Sequence, residues 1–184
     1  MRVLTLNNID FNNHCHKLQA LASSYCPDLI VSIASGGDFV AQNIFDNVTH
    51  ISVECRRLST DGKQNSSLIR KITKLLPRCV NNVLRIVEAK MLAMRKPVVR
   101  DIALTDAQQS AVAEAERVLV VDDAVDSGAT LLAVVNAIKK VDARKDVRAA
   151  VITVTTRNPL IVPDFSIYNN QTLIRFPWSI DANS

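Results

Sequence analysis

The stretch Val118–Leu131, VLVVDDAVDSGATL, concentrates the residue types in this chain best suited to chemistry. Four apolar residues, Val118–Val121, read as a strand buried on both faces. Asp122 and Asp123 follow at its carboxyl end, where open α/β sheets place ligands. Two adjacent carboxylates can accept hydrogen bonds from a pair of vicinal hydroxyls, or face Mg²⁺. Asp126-Ser127-Gly128-Ala129-Thr130 then turns into a helix. Exposed amides at a helix N-terminus, joined by Ser and Thr hydroxyls, make a phosphate cradle. Gly128 lets the backbone come close and take positive φ. The plainer reading is a strand–turn–helix with an acidic cap, and the rarity of the full string favours the cradle. A second candidate is Ser35-Gly36-Gly37, which follows an apolar run and opens a helix. Its amides can bind pyrophosphate, although Gly-Gly taken alone is equally well a turn.

The elements that must position these residues are legible from periodicity. Asp10 can cap a helix with Phe11, Cys15, Leu18, Leu21, Ala22 and Tyr25 at helical spacing, stopped by Pro27. Leu29–Ile33 reads as a buried strand, 38–45 as a helix with an acid at its start, and Thr49–Val53 as a second strand. Residues 58–116 differ. Ser59–Asn65 is a polar loop, and two helical faces, from Leu68 to Leu76 and from Val80 to Leu92, predict a helical hairpin. Thr105 with Gln108 forms a potential capping box. Val118–Val121 is the next strand, Ala129–Lys140 a helix, and Val147–Val154 a further strand. The tail holds two short strands and Phe176-Pro177-Trp178. Strands alternating with helices predict one α/β domain over 1–184 with a mostly parallel sheet and right-handed crossovers.

Composition narrows the setting. The chain has 184 residues, nearly half apolar and few aromatic, which suits an aliphatic core. No apolar run is long enough for a membrane helix, and no signal peptide is expected. The four Cys lack CxxC pairing, so reduced thiols in a cytoplasmic protein are expected. Cys15 between His14 and His16 is a possible metal set, with a surface helix face as the preferred reading. The net charge of +4 is uneven: residues 54–100 hold 12 Lys/Arg against three Asp/Glu, and the remainder is net acidic. Such a segment attracts an anion, whether nucleic acid, membrane surface or phosphorylated metabolite.

The string Val118–Leu131 resembles the signature of type I phosphoribosyltransferases: four apolar residues, two acids and a Ser/Thr-Gly-x-Thr cradle. The resemblance implies that fold, with a central parallel sheet and a base-pocket tail at 156–184; it does not extend over the helical insert at 58–116, which is unlike the family's short hood. It implies that Asp122 and Asp123 hold the ribose hydroxyls of phosphoribosyl pyrophosphate. Asp126, Ser127, Gly128, Ala129 and Thr130 would line its 5′-phosphate site. An acid at Asp126 is similar to the 6-oxopurine branch, where this residue is the proposed general base near purine N7. Ser35-Gly36-Gly37 resembles the pyrophosphate loop, with Ser35 where the family usually has a basic residue. Arg56 and Arg57, next to the end of a core strand, can supply the missing cation; so can Lys63 or the pair Arg95-Lys96 at the far end of the insert. The tail resembles that of xanthine–guanine and archaeal purine phosphoribosyltransferases, which implies a base pocket with Leu173, followed by Ile174, over the ring. A lysine expected near Val154 or Thr155 is missing, and Arg157 is a substitute. Trp178 reads as a core or interface anchor rather than a base contact.

The activity so implied is transfer of a 5-phosphoribosyl group to a nitrogenous base, most simply a purine, with release of pyrophosphate. Mg²⁺ is the expected cofactor, with Asp122 its candidate ligand, and a homodimer the expected assembly. Two rivals stand beside it: a regulatory fold relative that binds nucleotide or RNA through the basic hairpin, and an assembly subunit with a vestigial site.

Overall fold

A computed structural model describes residues 2–55, 86–87, 98–99, 101–169 and 172–179. The elements run β1 (Arg2–Thr5), α1 (Asn8–Ala22), β2 (Leu29–Ile33), α2 (Gly36–Ala41), β3 (Thr49–Val53), α3 (Asp106–Glu114), β4 (Arg117–Val125), α4 (Ala129–Val141), β5 (Asp146–Val154), β6 (Phe165–Asn169) and β7 (Thr172–Arg175). The expected hairpin at 68–92, like Arg56, Arg57, Lys63, Arg95 and Lys96, lies outside the described residues apart from Ile86 and Val87, which are helical.

Five strands form one sheet in the order β3-β2-β4-β5-β6, every neighbouring pair parallel. The continuous apolar runs of β2 and β4 follow from that position, since a parallel sheet covered on both faces buries every side chain. All five residues of β2 are buried, as are Val118–Val121 of β4. One face packs Val118 and Val120 against Val112 of α3 and Leu131, Val134 and Ile138 of α4. The other packs Leu119 and Val121 against Phe11, Cys15 and Leu18 of α1 and Val40 of α2. Among the described residues no helix is long and apolar enough to cross a membrane.

Local chemistry sets the boundaries. α1 is capped by Asn7, whose side chain accepts from Asp10 N at 2.8 Å. The cap expected at Asp10 is therefore displaced, and Asp10 occupies the first turn, where its charge favours the helix dipole. The capping box at Thr105 and Gln108 is present in both directions, at 3.3 and 2.9 Å. Cys15 is fully buried in the core rather than on a surface face, and burial pushes its thiol up to about 12. His14 instead bonds Tyr168 Oη at 2.8 Å, and no cluster of metal-ligating side chains occurs among the described residues.

A small second sheet forms where β1 pairs in parallel with β7, Val3 opposite Leu173 and Leu4 opposite Ile174. Little in the local pattern announces β1, a four-residue strand whose partner is about 170 positions away. The buried hydroxyl of Thr153, near the end of β5, donates to Thr172 O at 2.8 Å and so fastens β7 to the main sheet. Thr153→Val keeps the shape and removes the donor. It is expected to cost about 1–2 kcal/mol in urea unfolding and to speed amide exchange in β7.

Candidate functional site

The sheet order places a crevice. After β2 the chain enters α2 on one face; after β4 it enters α4 on the other. Because β2 and β4 are neighbours, their carboxyl ends flank a switch point, where ligands of open α/β sheets bind. The pairing is clamped at the opposite end of the strands. Asp28 accepts from Arg117 N at 3.0 Å and Glu116 N at 3.1 Å, and its own amide donates to Arg117 O at 3.0 Å.

On the β2 side, Ala34 N donates to Val53 O at 3.0 Å, which fixes the entry to the Gly-Gly turn. A Cβ on Gly36 would lie 2.4 Å from the Asp123 carboxylate. That carboxylate would have to swing aside for a side chain at 36, whereas a Cβ on Gly37 would lie 2.4 Å from Val121 O, a backbone atom that cannot. Ser35 is exposed at the N-cap of α2 and caps nothing with its side chain; Gly37 is buried in the first turn.

On the β4 side, Asp123 N donates to Asp122 Oδ1 at 2.9 Å. Burial, with the charge of Asp126 adding to it, raises the pKa of half-buried Asp123 to about 6 despite hydrogen bonds that favour its ionised form. Asp122 lies close enough to Cys55 for its charge to assist burial in pushing that thiol up to about 11, so Cys55 is not a poised nucleophile. The cradle follows. Gly128 has φ +79°, and Ala129 N donates to Ser127 Oγ at 3.3 Å. The chain beyond β5 supports this turn: Leu160 N donates to Ser127 O at 2.9 Å, and Thr155 Oγ1 donates to exposed Asp126 Oδ1 at 2.6 Å. Thr130 is half-buried in the first turn of α4.

Asp122, Asp123, Gly36 and the Asp126–Thr130 turn thus meet at one end of the sheet. The tail behaves less uniformly. Leu173 is half-buried, whereas Ile174 is buried in the cluster that includes Leu6, Phe11, Ile152 and Phe176. Trp178 stacks on Phe176 at 4.9 Å and on Phe39 of α2 at 4.4 Å, an anchor as expected. Arg157 is exposed and opens into a cleft of about 330 Å³ with Val154, Pro159 and Phe165, which includes none of the acids at 122, 123 and 126.

Two features escaped sequence reasoning. Thr155 is one. The other is a polar knot behind the Gly-Gly turn: the Ser32 hydroxyl, fully buried in β2, donates to Asp38 Oδ1 and bonds His50 Nε2 at 2.7 Å. A single Ser inside the apolar run LIVSI was the available signal, since a buried hydroxyl needs partners.

The phosphoribosyl transferase domain model matches residues 16–184. The chain belongs to the phosphoribosyltransferase family. Solved structures agree on the fold. A purine phosphoribosyltransferase from Pyrococcus horikoshii Ot3 is 21% identical, with TM-score 0.58 over 97% of this chain and 95% of that one. The xanthine-guanine-hypoxanthine phosphoribosyltransferase of Helicobacter pylori is 15% identical, with TM-score 0.58 over 96% and 90%. A hypothetical protein from Neisseria gonorrhoeae with bound ppGpp is 15% identical, with TM-score 0.56 over 96% and 89%. No curated protein matches the chain by sequence.

The acid pair has a measurable thermodynamic signature. A carboxyl whose folded pKa is raised binds protons more tightly in the native state, so its contribution is stabilising at low pH and lost as pH climbs. Between about pH 4 and 6, stability should therefore fall with rising pH on account of Asp123. Asp123→Asn should flatten that slope and raise the melting temperature at neutral pH, with a gain of at most about 3 kcal/mol. Urea melts across this pH range measure it.

Proposed function

We propose that this phosphoribosyltransferase moves the 5-phosphoribosyl group of phosphoribosyl pyrophosphate onto a nitrogenous base, a purine by preference, and releases pyrophosphate. The observation that carries the reading is the convergence of acid pair, Gly-Gly turn and phosphate cradle on one switch point, with Gly36 against the Asp123 carboxylate. In this reading the Ser127–Thr130 amides and hydroxyls grip the 5′-phosphate. The ribose hydroxyls bond Asp122 and Asp123, and the amides of Gly36 and Gly37 face the pyrophosphate. Asp126 takes or shares the acceptor's proton, as the likeness to the 6-oxopurine branch suggests.

The donor set suits Mg²⁺ delivered with its substrate. Adjacent carboxylates without a third metal-ligating side chain among the described residues give no closed cage, and Mg²⁺ commonly pairs one or two carboxylates with phosphate oxygens. Asp122 is the proposed protein ligand. The ion would neutralise charge on the pyrophosphate as it departs. The remaining work falls to the chain: orienting C1 toward the incoming nitrogen, excluding water and placing donors where charge develops in a transition state of oxocarbenium character.

Calorimetric titration with phosphoribosyl pyrophosphate and Mg²⁺, followed by a screen of purine and pyrimidine bases for pyrophosphate release, tests the reading. Binding without transfer to any base would favour a regulatory fold relative instead. Thr130→Val deletes a phosphate-facing hydroxyl at constant volume and should weaken substrate binding about tenfold; unchanged affinity in the folded variant removes the cradle assignment. Asp126→Asn should leave that affinity nearly intact and lower turnover by about 10²–10⁴. Full turnover in that variant removes Asp126 from the chemistry.

A further inference from the structure

We propose that Thr155 is the positioning residue for Asp126, its hydroxyl tying one carboxylate oxygen so that the other is held ready for the acceptor's proton. The proposal rests on the proposed role of Asp126 and adds to it a residue from beyond a different strand. The Asp126 side chain is exposed and belongs to the turn between β4 and α4. A carboxylate in such a turn is free to rotate unless something holds it. Among the described residues the Thr155 hydroxyl is its hydrogen-bond partner, at 2.6 Å to Oδ1, within the short range of charge-assisted O–H···O⁻ bonds. No bond ties Oδ2 within the described residues, and that oxygen is left to accept a proton.

Thr155 can hold an aim because it is itself fixed. It is buried, at 8% exposure, and its amide donates to Val125 O at 2.9 Å. That bond carries the β4–β5 ladder one step past the Val125–Val154 pair. The residue preceding Asp126 and the oxygen of Asp126 are therefore both tied to the same threonine. Branching at Cβ restricts the rotamer further. The hydroxyl also lies 3.4 Å from Val125 O, yet its single proton has the better acceptor in the carboxylate at 2.6 Å. Holding the carboxylate in place matters because misplacement by about an ångström is a heavy penalty for a transfer step.

Steady-state kinetics of the full chain with phosphoribosyl pyrophosphate, Mg²⁺ and the nucleobase returned by the screen would test this. Thr155→Val is expected to lower kcat about tenfold, the scale of one charge-assisted hydrogen bond, while KM for phosphoribosyl pyrophosphate stays within about twofold. Thr155→Ser, which keeps the hydroxyl, should recover most of kcat. Thr155→Ala should match Thr155→Val and serves in its place if the valine variant does not fold. When Asp126→Asn is already present, adding Thr155→Val should cause no further loss, because the two residues act as one unit. Unchanged kcat in the valine and alanine variants overturns the proposal, as does a full additional loss in the double variant relative to Asp126→Asn alone. If Thr155→Val is harmless while Asp126→Asn is crippling, the positioning role alone fails. If Asp126→Asn keeps full turnover, or no base is a substrate, the underlying reading fails and takes this one with it.

Discussion

The parallel pairing of β2 with β4 is the constraint on which the site depends. The five residues of β2 are locked between β3 and β4, and the Asp28 carboxylate clamps the start of the pairing by receiving two consecutive amides of the β4 segment. Tyr25 continues the clamp to the next strand, its hydroxyl donating to Asp146 O at 2.8 Å and lying 3.2 Å from Val118 O, so its ionisation is strongly disfavoured by burial. With the strand starts fixed in register, the strand ends are fixed too. Gly36 then lies against the Asp123 carboxylate, and Gly37 lies so near the Val121 carbonyl that a Cβ there would come within 2.4 Å of its oxygen. Slippage of β2 by one residue would invert which of its side chains faces each core and carry the turn away from the acids.

The same end of the sheet collects negative charge. Asp122, Asp123 and Asp126 lie within a few residues of one another, and Asp38 occupies the first turn of α2. The raised pKa of Asp123 means that its ionisation works against folding. Asp38 is treated differently. It sits beside a turn proposed to face an anion, and the Ser32 hydroxyl, itself bonded to His50, draws its carboxylate back toward the sheet. Its charge can favour the helix dipole of α2 from there.

The parts of the molecule legible in sequence are those set by local periodicity or by a contiguous string. Val118–Leu131 announced a buried strand, a turn of positive φ at Gly128 and a helix, because each depends on neighbours a few positions away. The capping box at Thr105 is equally local. What could not be read depends on long-range contact. β1 is too short to declare itself and exists because β7 lies beside it. Leu173 and Ile174 look alike as residues, and their separation into a half-buried and a core side chain follows from strand alternation against a layer that sequence does not show. Thr155 meets Asp126 across 29 positions, through a ladder register that no motif encodes.

The aromatic stack at the tail gives the protein a built-in optical gauge. Trp178 is the chain's single tryptophan, and its ring stacks with Phe176 and with the exposed ring of Phe39. Phe39 is two positions beyond Gly37, on the same short helix that the Gly-Gly turn opens. A tilt of that helix would shift one phenyl ring against the indole, so a change in Trp178 emission on adding ligand would report on the turn without a label.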